Sequence, residues 1–232
     1  MKICLRFLAL VLAAIIFAPV QVSAAGEVTR VILVRHGETA SNVKNIYQGW
    51  LDTPLNENGI RQAEALAEYL KDVPIDVFIC SPLKRAYVTT QKVAELHGMQ
   101  IDYTDPRLRE INYGDWEGKS ADEWKKKNPE QFAMWKKKTW LVINPNGESL
   151  QDLANRARAA LNDAVARYPG KTIFIGAHGH TNISLLCDVL NIGQENFRKF
   201  TQSNTCINVL EYKDGAWKAV VINSTAHLNK LF

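Results

Sequence analysis

Two histidines directly follow apolar, β-branched segments, where a strand would end and a loop begin. His36 follows residues 28–34 and is preceded by Arg35, and His178 follows the apolar run at residues 172–176. A guanidinium presents a planar fork of donors that matches phosphate oxygens. A neutral imidazole can attack phosphorus when its other ring nitrogen is held. A lone histidine after a strand is more often structural, but the Arg35-His36 pair points to phosphoryl transfer through a histidine nucleophile.

Two further charged side chains follow predicted strand ends. Arg85 comes after Ser81-Pro82 at the start of a predicted helix. It either brings a second guanidinium to the same crevice or is an exposed residue of the first helical turn. Glu110 lies on a loop beside the apolar residues Leu108 and Ile111. We expect desolvation to raise the pKa of Glu110, which suits a general acid.

The elements that position these residues can be predicted from periodicity and from turn residues. Strands are predicted at residues 28–34, 76–80, 100–103, 171–176, 206–212 and 217–222, and helices at residues 57–70, 83–97 and 149–168, with a last one that ends near residue 190. Strands that alternate with helices imply a mostly parallel sheet with helices on both faces. Chemistry in such sheets collects beyond the carboxyl ends of the strands, so we expect His36 and His178 in one crevice.

Residues 119–147 differ in character from the rest of the chain. Ser120 and Glu123 form a capping-box pattern that opens a helix, and several aromatic residues follow. Two lysine triplets, at residues 125–127 and 136–138, lie between the aromatic residues. We interpret the segment as a small helical cap inserted into a single domain. The triplets are interpreted as solvated helix faces rather than substrate contacts.

Four motifs together resemble those of the histidine phosphatase superfamily, the phosphoglycerate-mutase-like group. In chain order they are Arg35-His36-Gly37-Glu38-Thr39 with Asn42, Ser81-Pro82 with Arg85, Arg109-Glu110-Ile111 with Trp116-Glu117-Gly118, and His178-Gly179. The resemblance spans roughly residues 29 to 228, nearly the whole chain after its first segment. It implies an α/β fold, a three-layer α/β/α sandwich with a mostly parallel mixed sheet and the cap as an insertion.

The resemblance also implies a role for each matching residue. His36 would be the nucleophile, and Arg35, Arg85 and His178 would bind the transferring phosphoryl group. Glu110 would protonate the leaving alcohol and then activate water. Further candidates for substrate contact are Asn42, Gln48, Gly49 and His180, the last being equally compatible with a polar residue at the edge of the site. No metal and no cofactor are implied, because arginines and histidines supply the charge stabilisation that magnesium supplies in kinases.

Three functions are compatible with these motifs. The first is a phosphomonoesterase acting on small phosphorylated metabolites, the second is a phosphoglycerate mutase-type phosphotransferase, and the third is a phosphoester-binding protein without turnover. The third is weakened because nucleophile, arginines, proton donor and second histidine are all present. The short segment at residues 119–147 and the Trp116-Glu117-Gly118 loop favour a phosphatase over a mutase.

The first 25 residues predict export. Two cations precede an apolar run at residues 7–22, which contains Pro19 and is followed by small residues. This is typical of a signal peptide cleaved near residue 25, whereas a membrane anchor needs about 20 apolar residues without a helix breaker. We expect a periplasmic or secreted enzyme without stable membrane association after cleavage.

Residues 26–232, predicted to form the histidine phosphatase domain, have a nearly balanced charge. Removal of residues 1–25 takes two cations and no acids, which leaves 26 cations against 24 anions. So weak an excess argues against nucleic acid as a partner, and we expect a small phosphorylated substrate instead. Three cysteines, Cys80, Cys187 and Cys206, remain in apolar segments and are interpreted as buried thiols, although the compartment permits a disulfide. The oligomeric state is open.

Overall fold

The computed structural model describes residues 26–230, so the predicted signal segment lies outside the described residues. The strands are β1 Thr29–Arg35, β2 Val77–Cys80, β3 Tyr103–Thr104, β4 Thr172–Ala177, β5 Ile207–Lys213 and β6 Ala216–Ser224. The helices are α1 Ala40–Val43, α2 Glu57–Leu70, α3 Lys84–Leu96, α4 Ala121–Lys127, α5 Pro129–Lys137, α6 Leu150–Arg167 and α7 Gly179–Val189. Among residues 26–230, no helix is both long and apolar enough to cross a bilayer.

The strands form one mixed sheet in the order β3-β2-β4-β1-β5-β6. Neighbours from β3 to β1 pair in parallel, and β5 and β6 add an antiparallel hairpin at the other edge. β1 and β4 are adjacent, with Arg35 opposite Ala177. His36 and His178 therefore leave the sheet side by side, as the strand pattern predicts.

The core lies on both faces of the sheet, which gives the three layers. Val31 and Leu33 of β1 point to one face and pack with α6 and α7. Ile32 and Val34, which alternate with them, point to the other face and pack with α2 and α3. Parallel strands covered on both faces are apolar throughout, and this explains why their sequences read as continuous apolar runs.

The edge strand β3 is shorter than predicted. Residues 100–103 are predicted to be a strand, but only Tyr103 and Thr104 pair with β2. Just before them, the Asp102 carboxylate accepts the N–H of Phe78 at 2.8 Å. The Asp102 side chain thus accepts a backbone N–H of β2 that would otherwise pair with the backbone of a longer β3. The other strands and helices lie within two residues of their predicted ends.

The cap consists of α4 and α5, which pack on each other around an aromatic core. Trp124 and Trp135 are fully buried, and Trp116 stacks on Trp124 with ring centroids 4.7 Å apart. The predicted capping box of Ser120 and Glu123 is present at the start of α4. Packing of these large rings stabilises the two short helices, which would not persist alone.

The three cysteines of the described chain are buried and free. Burial raises the pKa of the Cys80 thiol to about 12 and that of the Cys206 thiol to about 11. They are therefore protonated structural thiols at neutral pH.

Candidate active site

His36 lies directly after β1, and its imidazole is oriented by the adjacent residue. Its Nδ1 is 2.7 Å from the carbonyl oxygen of Gly37. Because a carbonyl can only accept, Nδ1 carries the proton and Nε2 keeps a free lone pair. The main chain is held as well: the His36 N–H donates to the Ala177 carbonyl at 3.1 Å, and its own carbonyl accepts from Asn204 Nδ2 at 3.0 Å. The ring is thus fixed in the tautomer that nucleophilic attack requires.

The surroundings of His36 keep its imidazole neutral. Burial is the main cause, followed by the positive charges of Arg85 and Arg35, and together they hold the pKa of His36 well below its usual range. The ring of His178 lies next to it, with centroids 5.2 Å apart. At pH 7 the lone pair on Nε2 is therefore available.

Arg35 and Arg85 bring two guanidiniums to this position. Arg85, in the first turn of α3, is completely buried, and its terminal nitrogens donate to two loop carbonyls at 2.7 Å each. Arg35 donates to the carbonyl of Gln202. Burial lowers the pKa of Arg85 to about 10, so it remains charged at neutral pH. The alternative of an exposed first-turn arginine is wrong, and the two cations favour an anionic ligand.

His178 ends β4 and is fully buried beside His36. Its Nε2 is 2.8 Å from the hydroxyl of Ser81, which gives the Ser81-Pro82 motif a physical role. Its Nδ1 has no hydrogen-bond partner within the described chain, nor do Arg35 Nε and Arg85 Nε. Buried polar atoms usually have partners, so these three atoms are the ones left for a ligand to satisfy.

Glu110 contradicts the expectation of a raised pKa. Its carboxylate lies at the N-terminus of α7, where it accepts the N–H groups of His180 at 3.1 Å and Thr181 at 3.2 Å, and also that of Ile111 at 3.0 Å. Burial raises the pKa of Glu110, but the hydrogen bonds and charge of His180, the charge of His178 and the Ile111 N–H outweigh it. The net pKa lies well below the usual range. Glu110 is thus an ionised carboxylate in this structure.

His180 links this carboxylate to the cap. Its Nδ1 is 3.6 Å from Glu110 Oε2 and 3.2 Å from the Tyr113 hydroxyl. The ring stacks on Trp135 with centroids 5.7 Å apart and packs against Phe197 at 5.1 Å. His180 therefore lies between the Glu110 carboxylate and the aromatic core of the cap, and it also lines the pocket.

Asn42, Gln48 and Gly49 line the same pocket, and each also has a structural role. Asn42 Oδ1 accepts the Thr39 N–H at 3.1 Å in the capping box of α1, so its amide nitrogen is the group that can donate to a ligand. Gln48 Oε1 accepts the Thr39 hydroxyl at 3.0 Å. Gly49 has a φ of +52° and abuts the Glu117 carboxylate, so a Cβ there would collide with it.

Arg156 of α6 is a supporting residue that sequence reasoning missed. It donates to the carbonyls of Arg107 and Arg109 at 2.7 Å each and to that of Glu110 at 2.8 Å. It also pairs with Glu148 at 2.8 Å. Arg156 therefore fixes the loop that carries Glu110. No local pattern marks it, because the three carbonyls that it holds lie more than 40 residues away in the chain.

The pocket has a volume of about 670 Å³. It is lined by every predicted site residue except His178, namely by Arg35, His36, Asn42, Gln48, Gly49, Arg85, Glu110 and His180. We call Arg35, His36, Arg85, Glu110 and His178 the floor of the pocket. His178 is included because its ring lies directly against that of His36. In the part of the chain that the structure describes, no group of three or more histidine, cysteine, aspartate or glutamate residues could hold a metal ion.

The site can be compared with known families at this point. A family model described as "Histidine phosphatase superfamily (branch 1)" matches residues 31–225. The chain belongs to the histidine phosphatase superfamily. Its matched range contains all of the floor and the cap, so the resemblance seen in the four motifs is confirmed.

Individual relatives of this superfamily match along nearly their whole length. "Phosphoserine phosphatase 1" of Hydrogenobacter thermophilus is 32% identical over 203 residues, which cover 88% of this chain and 96% of that protein. "Probable phosphoglycerate mutase GpmB" of Yersinia pestis is 34% identical over 212 residues, which cover 86% of this chain and 95% of that protein. The solved structure "Bacillus stearothermophilus YhfR" has a TM-score of 0.83 at 32% identity, covering 87% of this chain and 100% of its own. The α/β phosphoglycerate-mutase-like fold is confirmed, and the family supports a phosphatase.

Proposed function

We propose that the protein is a phosphomonoesterase that hydrolyses small phosphorylated metabolites through a phosphohistidine at His36. One observation carries the proposal: His36 is neutral, its Nδ1 is held by Gly37, and its Nε2 is free between the cations of Arg35 and Arg85. Cations attract the phosphate dianion, and an unprotonated imidazole attacks it. The superfamily membership and a relative named as a phosphoserine phosphatase support the same reaction.

The first half-reaction forms the bond between Nε2 and phosphorus while the bond from phosphorus to the leaving oxygen breaks. Glu110 donates a proton to that oxygen, so the product leaves as an alcohol. Glu110 is ionised in this structure, but a phosphate dianion beside it raises its pKa by like-charge repulsion. We therefore propose that Glu110 takes up a proton from solvent when substrate binds and returns one to solvent when phosphate leaves. The His36 proton stays on Nδ1, hydrogen-bonded to the Gly37 carbonyl, throughout both half-reactions.

The second half-reaction returns the site to its starting state. Glu110, again a carboxylate, takes a proton from water, and the resulting hydroxide attacks phosphorus. The bond to Nε2 breaks, its electron pair returns to the imidazole, and inorganic phosphate leaves. Arg35, Arg85 and His178 would stabilise the charge on the phosphoryl oxygens in both steps. We propose that no metal is needed, because these side chains supply the charge.

Replacement of His36 tests the proposal directly. His36→Ala should lower kcat by about 10⁴-fold or more, because the nucleophile is lost. Rapid quenching at basic pH of wild type with radiolabelled substrate should trap label on His36, and EDTA should leave the rate unchanged. Phosphate binding by calorimetry and an unchanged melting temperature would show that the variant is folded. Full activity in the folded variant, or a large loss with EDTA, would contradict the mechanism.

A phosphoglycerate mutase-type phosphotransferase is the alternative, since a relative named as a probable phosphoglycerate mutase is 34% identical and a mutase would use the same intermediate. A mutase must protect its phosphohistidine from water. Here the segment between Gly118 and Gly147 holds only two short helices and a single 3₁₀ turn, and they overhang a wide pocket. Incubation with 3-phosphoglycerate, with and without 2,3-bisphosphoglycerate, separates the two activities. We expect phosphate release; faster isomerisation would establish the mutase.

We also propose that the enzyme is exported, from the sequence of residues 1–25. N-terminal sequencing of protein from the native host should find a chain that begins near Ala25 or Gly26. An intact Met1 in a cytosolic fraction would contradict export without affecting the proposed reaction.

A further inference from the structure

A second group of cations lines the pocket, apart from the floor. Lys44, Lys125 and Lys136 contribute to its wall, and we call these three lysines the rim. None of them forms an ion pair with another residue in the range 26–230. The floor arginines already serve the phosphoryl group, so the rim needs a different explanation.

Only one lysine of each triplet belongs to the rim, and helical geometry explains which. On α4, Ala121 and Lys125 are four residues apart and share the face toward the pocket, while Trp124 points into the cap core. On α5, Phe132 and Lys136 repeat this spacing. Lys125 and Lys136 are exposed, as the interpretation of the triplets as solvated faces predicts, but they also line the pocket. The four other lysines of the triplets are exposed and do not line it.

The rim lysines come from two segments whose backbones are joined. The Tyr47 N–H donates to the Lys119 carbonyl at 3.0 Å, the Gly118 N–H to the Tyr47 carbonyl at 2.9 Å, and the Ala121 N–H to the Asn45 carbonyl at 3.2 Å. These bonds connect the loop after Lys44 to the start of α4. The main chains that carry Lys44 and Lys125 therefore keep a fixed relation, and the rim is one structural unit.

The charge around the mouth is unbalanced. Besides Glu110 of the floor, Asp122 is the carboxylate among the described residues that line the pocket, which also include the three rim lysines. Lys136 lies over the Phe132 ring at 5.6 Å from its centroid, which directs it along the pocket wall. A concave site lined by one sign of charge focuses the field and concentrates ligands of opposite charge.

We propose that the rim binds a second anionic group of the substrate. The preferred substrates would then be phosphomonoesters that carry a carboxylate or a further phosphate at the end remote from the scissile phosphate. The inference rests on the proposed function for the scissile group, but its own subject is the remote group. A pocket of about 670 Å³ extends from His36 to the lysines, so a single extended molecule can contact both.

The test uses two matched pairs of compounds. Hexyl phosphate and its ω-carboxylate share the same leaving group and differ only in the remote anion, and the corresponding phosphonates report binding without turnover. Wild type should hydrolyse the ω-carboxylate ester with a kcat/KM about tenfold higher than that of hexyl phosphate. It should bind the ω-carboxylate phosphonate with a Kd about tenfold lower than that of hexylphosphonate. Lys125→Gln and Lys136→Gln should each remove about two- to fivefold of that preference and leave hexyl phosphate unchanged. Longer and shorter chains, and an ω-phosphate, then define the reach and the preferred anion.

The lysine triplets provide matched controls. Lys126→Gln and Lys137→Gln make the same change in net charge on the same helices but outside the pocket, and both should behave as wild type. Equal binding of the two phosphonates by wild type would overturn the proposal, and so would equal losses in all four variants, which would indicate net charge alone. If neither phosphate ester is hydrolysed, the proposed function fails, while the phosphonate affinities still decide the role of the rim.

Discussion

The floor and the rim of the pocket hold cations in opposite ways. Arg85 of the floor is completely buried and is held by two carbonyl oxygens. Lys125 of the rim is exposed, and its ammonium forms no ion pair in the described part of the chain. Four floor residues lie at strand ends or in the first turn of a helix and Glu110 lies on a loop, whereas most of the rim belongs to two short helices of an insertion. Both nevertheless line one cavity.

This difference separates two tasks. Buried, fixed charges cost no reorganisation during the reaction, and a low dielectric strengthens them, so they suit the stabilisation of a transition state. Exposed lysines are screened and lose side-chain entropy on binding, so each contributes modestly. They suit the choice between substrates that share the same reacting group. Variants of the floor should therefore change kcat for all substrates, and variants of the rim should change selectivity.

The largest effect that sharpens this comparison concerns proton transfer by the floor. Glu110→Gln removes the carboxylate that would protonate the leaving oxygen. We expect hydrolysis of alkyl phosphates to slow by about 10²–10⁴-fold, and that of p-nitrophenyl phosphate much less, because nitrophenolate leaves without a proton. Steady-state kinetics on both esters measures the ratio.

His180→Gln is the matched control for that experiment. It removes the ring next to Glu110 but keeps the backbone N–H that Glu110 accepts, so its effect on the same ratio should be smaller. Equal losses on alkyl and nitrophenyl esters in Glu110→Gln would contradict the proposed proton donor.

An intermediate effect should appear in the cap, which carries most of the rim. Trp124→Ala removes a fully buried ring that stacks on Trp116. The free energy of unfolding should fall by about 3–5 kcal/mol, as measured by denaturant titration. Met134→Ala, at an exposed position of α5, should change it by about 0.5 kcal/mol or less. Similar values for both variants would show that the aromatic core does not stabilise the cap.

The smallest effect is on the pH dependence of stability and concerns His227, which contacts the floor residue His36 through Thr205. Its Nε2 is 2.9 Å from the Thr205 hydroxyl, and the Thr205 N–H donates to the His36 carbonyl. Burial lowers the pKa of His227 to about 4. Below about pH 6.5 the unfolded chain takes up a proton that the folded chain refuses, so stability falls as the pH is lowered toward 4.

His227→Gln should lose less stability over this pH range than wild type does. Between about pH 6.5 and 5.5 the difference should be about 1 kcal/mol or less, because one pH unit of differential binding of a single proton is worth at most about 1.4 kcal/mol. Melting temperatures of both proteins at several pH values measure it, and His36 and His178 contribute equally to both. Parallel pH profiles would place the titrating group elsewhere.

The sequence could predict the strands, helices and loops that position the site, because each of them depends on residues close together in the chain. An apolar run followed by Arg35-His36 specifies a buried strand and the loop at its end, and α2 begins and ends where its periodicity predicts. The parallel direction of β1 and β4 follows from the alternation of strands and helices, whereas their adjacency in the sheet is shown by the structure. These features depend on neighbours in the chain, which the sequence displays.

The electrostatics of Glu110 could not be predicted in the same way. Its neighbours Leu108 and Ile111 suggest desolvation, but His180, whose side chain does most to lower the pKa of Glu110, belongs to α7, 70 residues later in the chain. The role of Arg156 is invisible for the same reason. The choice of Lys125 and Lys136 within their triplets depends on which face of each short helix packs inward, and the triplets themselves carry no such signal.

Three hydrogen bonds join the start of the cap to the loop that follows His36, and they bear on how the substrate range of this fold can change. All three use main-chain atoms only, at Asn45, Tyr47, Gly118, Lys119 and Ala121. Main-chain donors and acceptors are present in nearly any sequence, so these hydrogen bonds need a favourable residue only at Asn45 and Gly118, whose φ values of +51° and +78° favour asparagine and glycine. The cap residues that follow these hydrogen bonds can therefore be replaced as one segment, in a laboratory library or during evolution, while the loop beside His36 keeps its conformation. New substrates can then be selected without rebuilding the phosphoryl-transfer machinery.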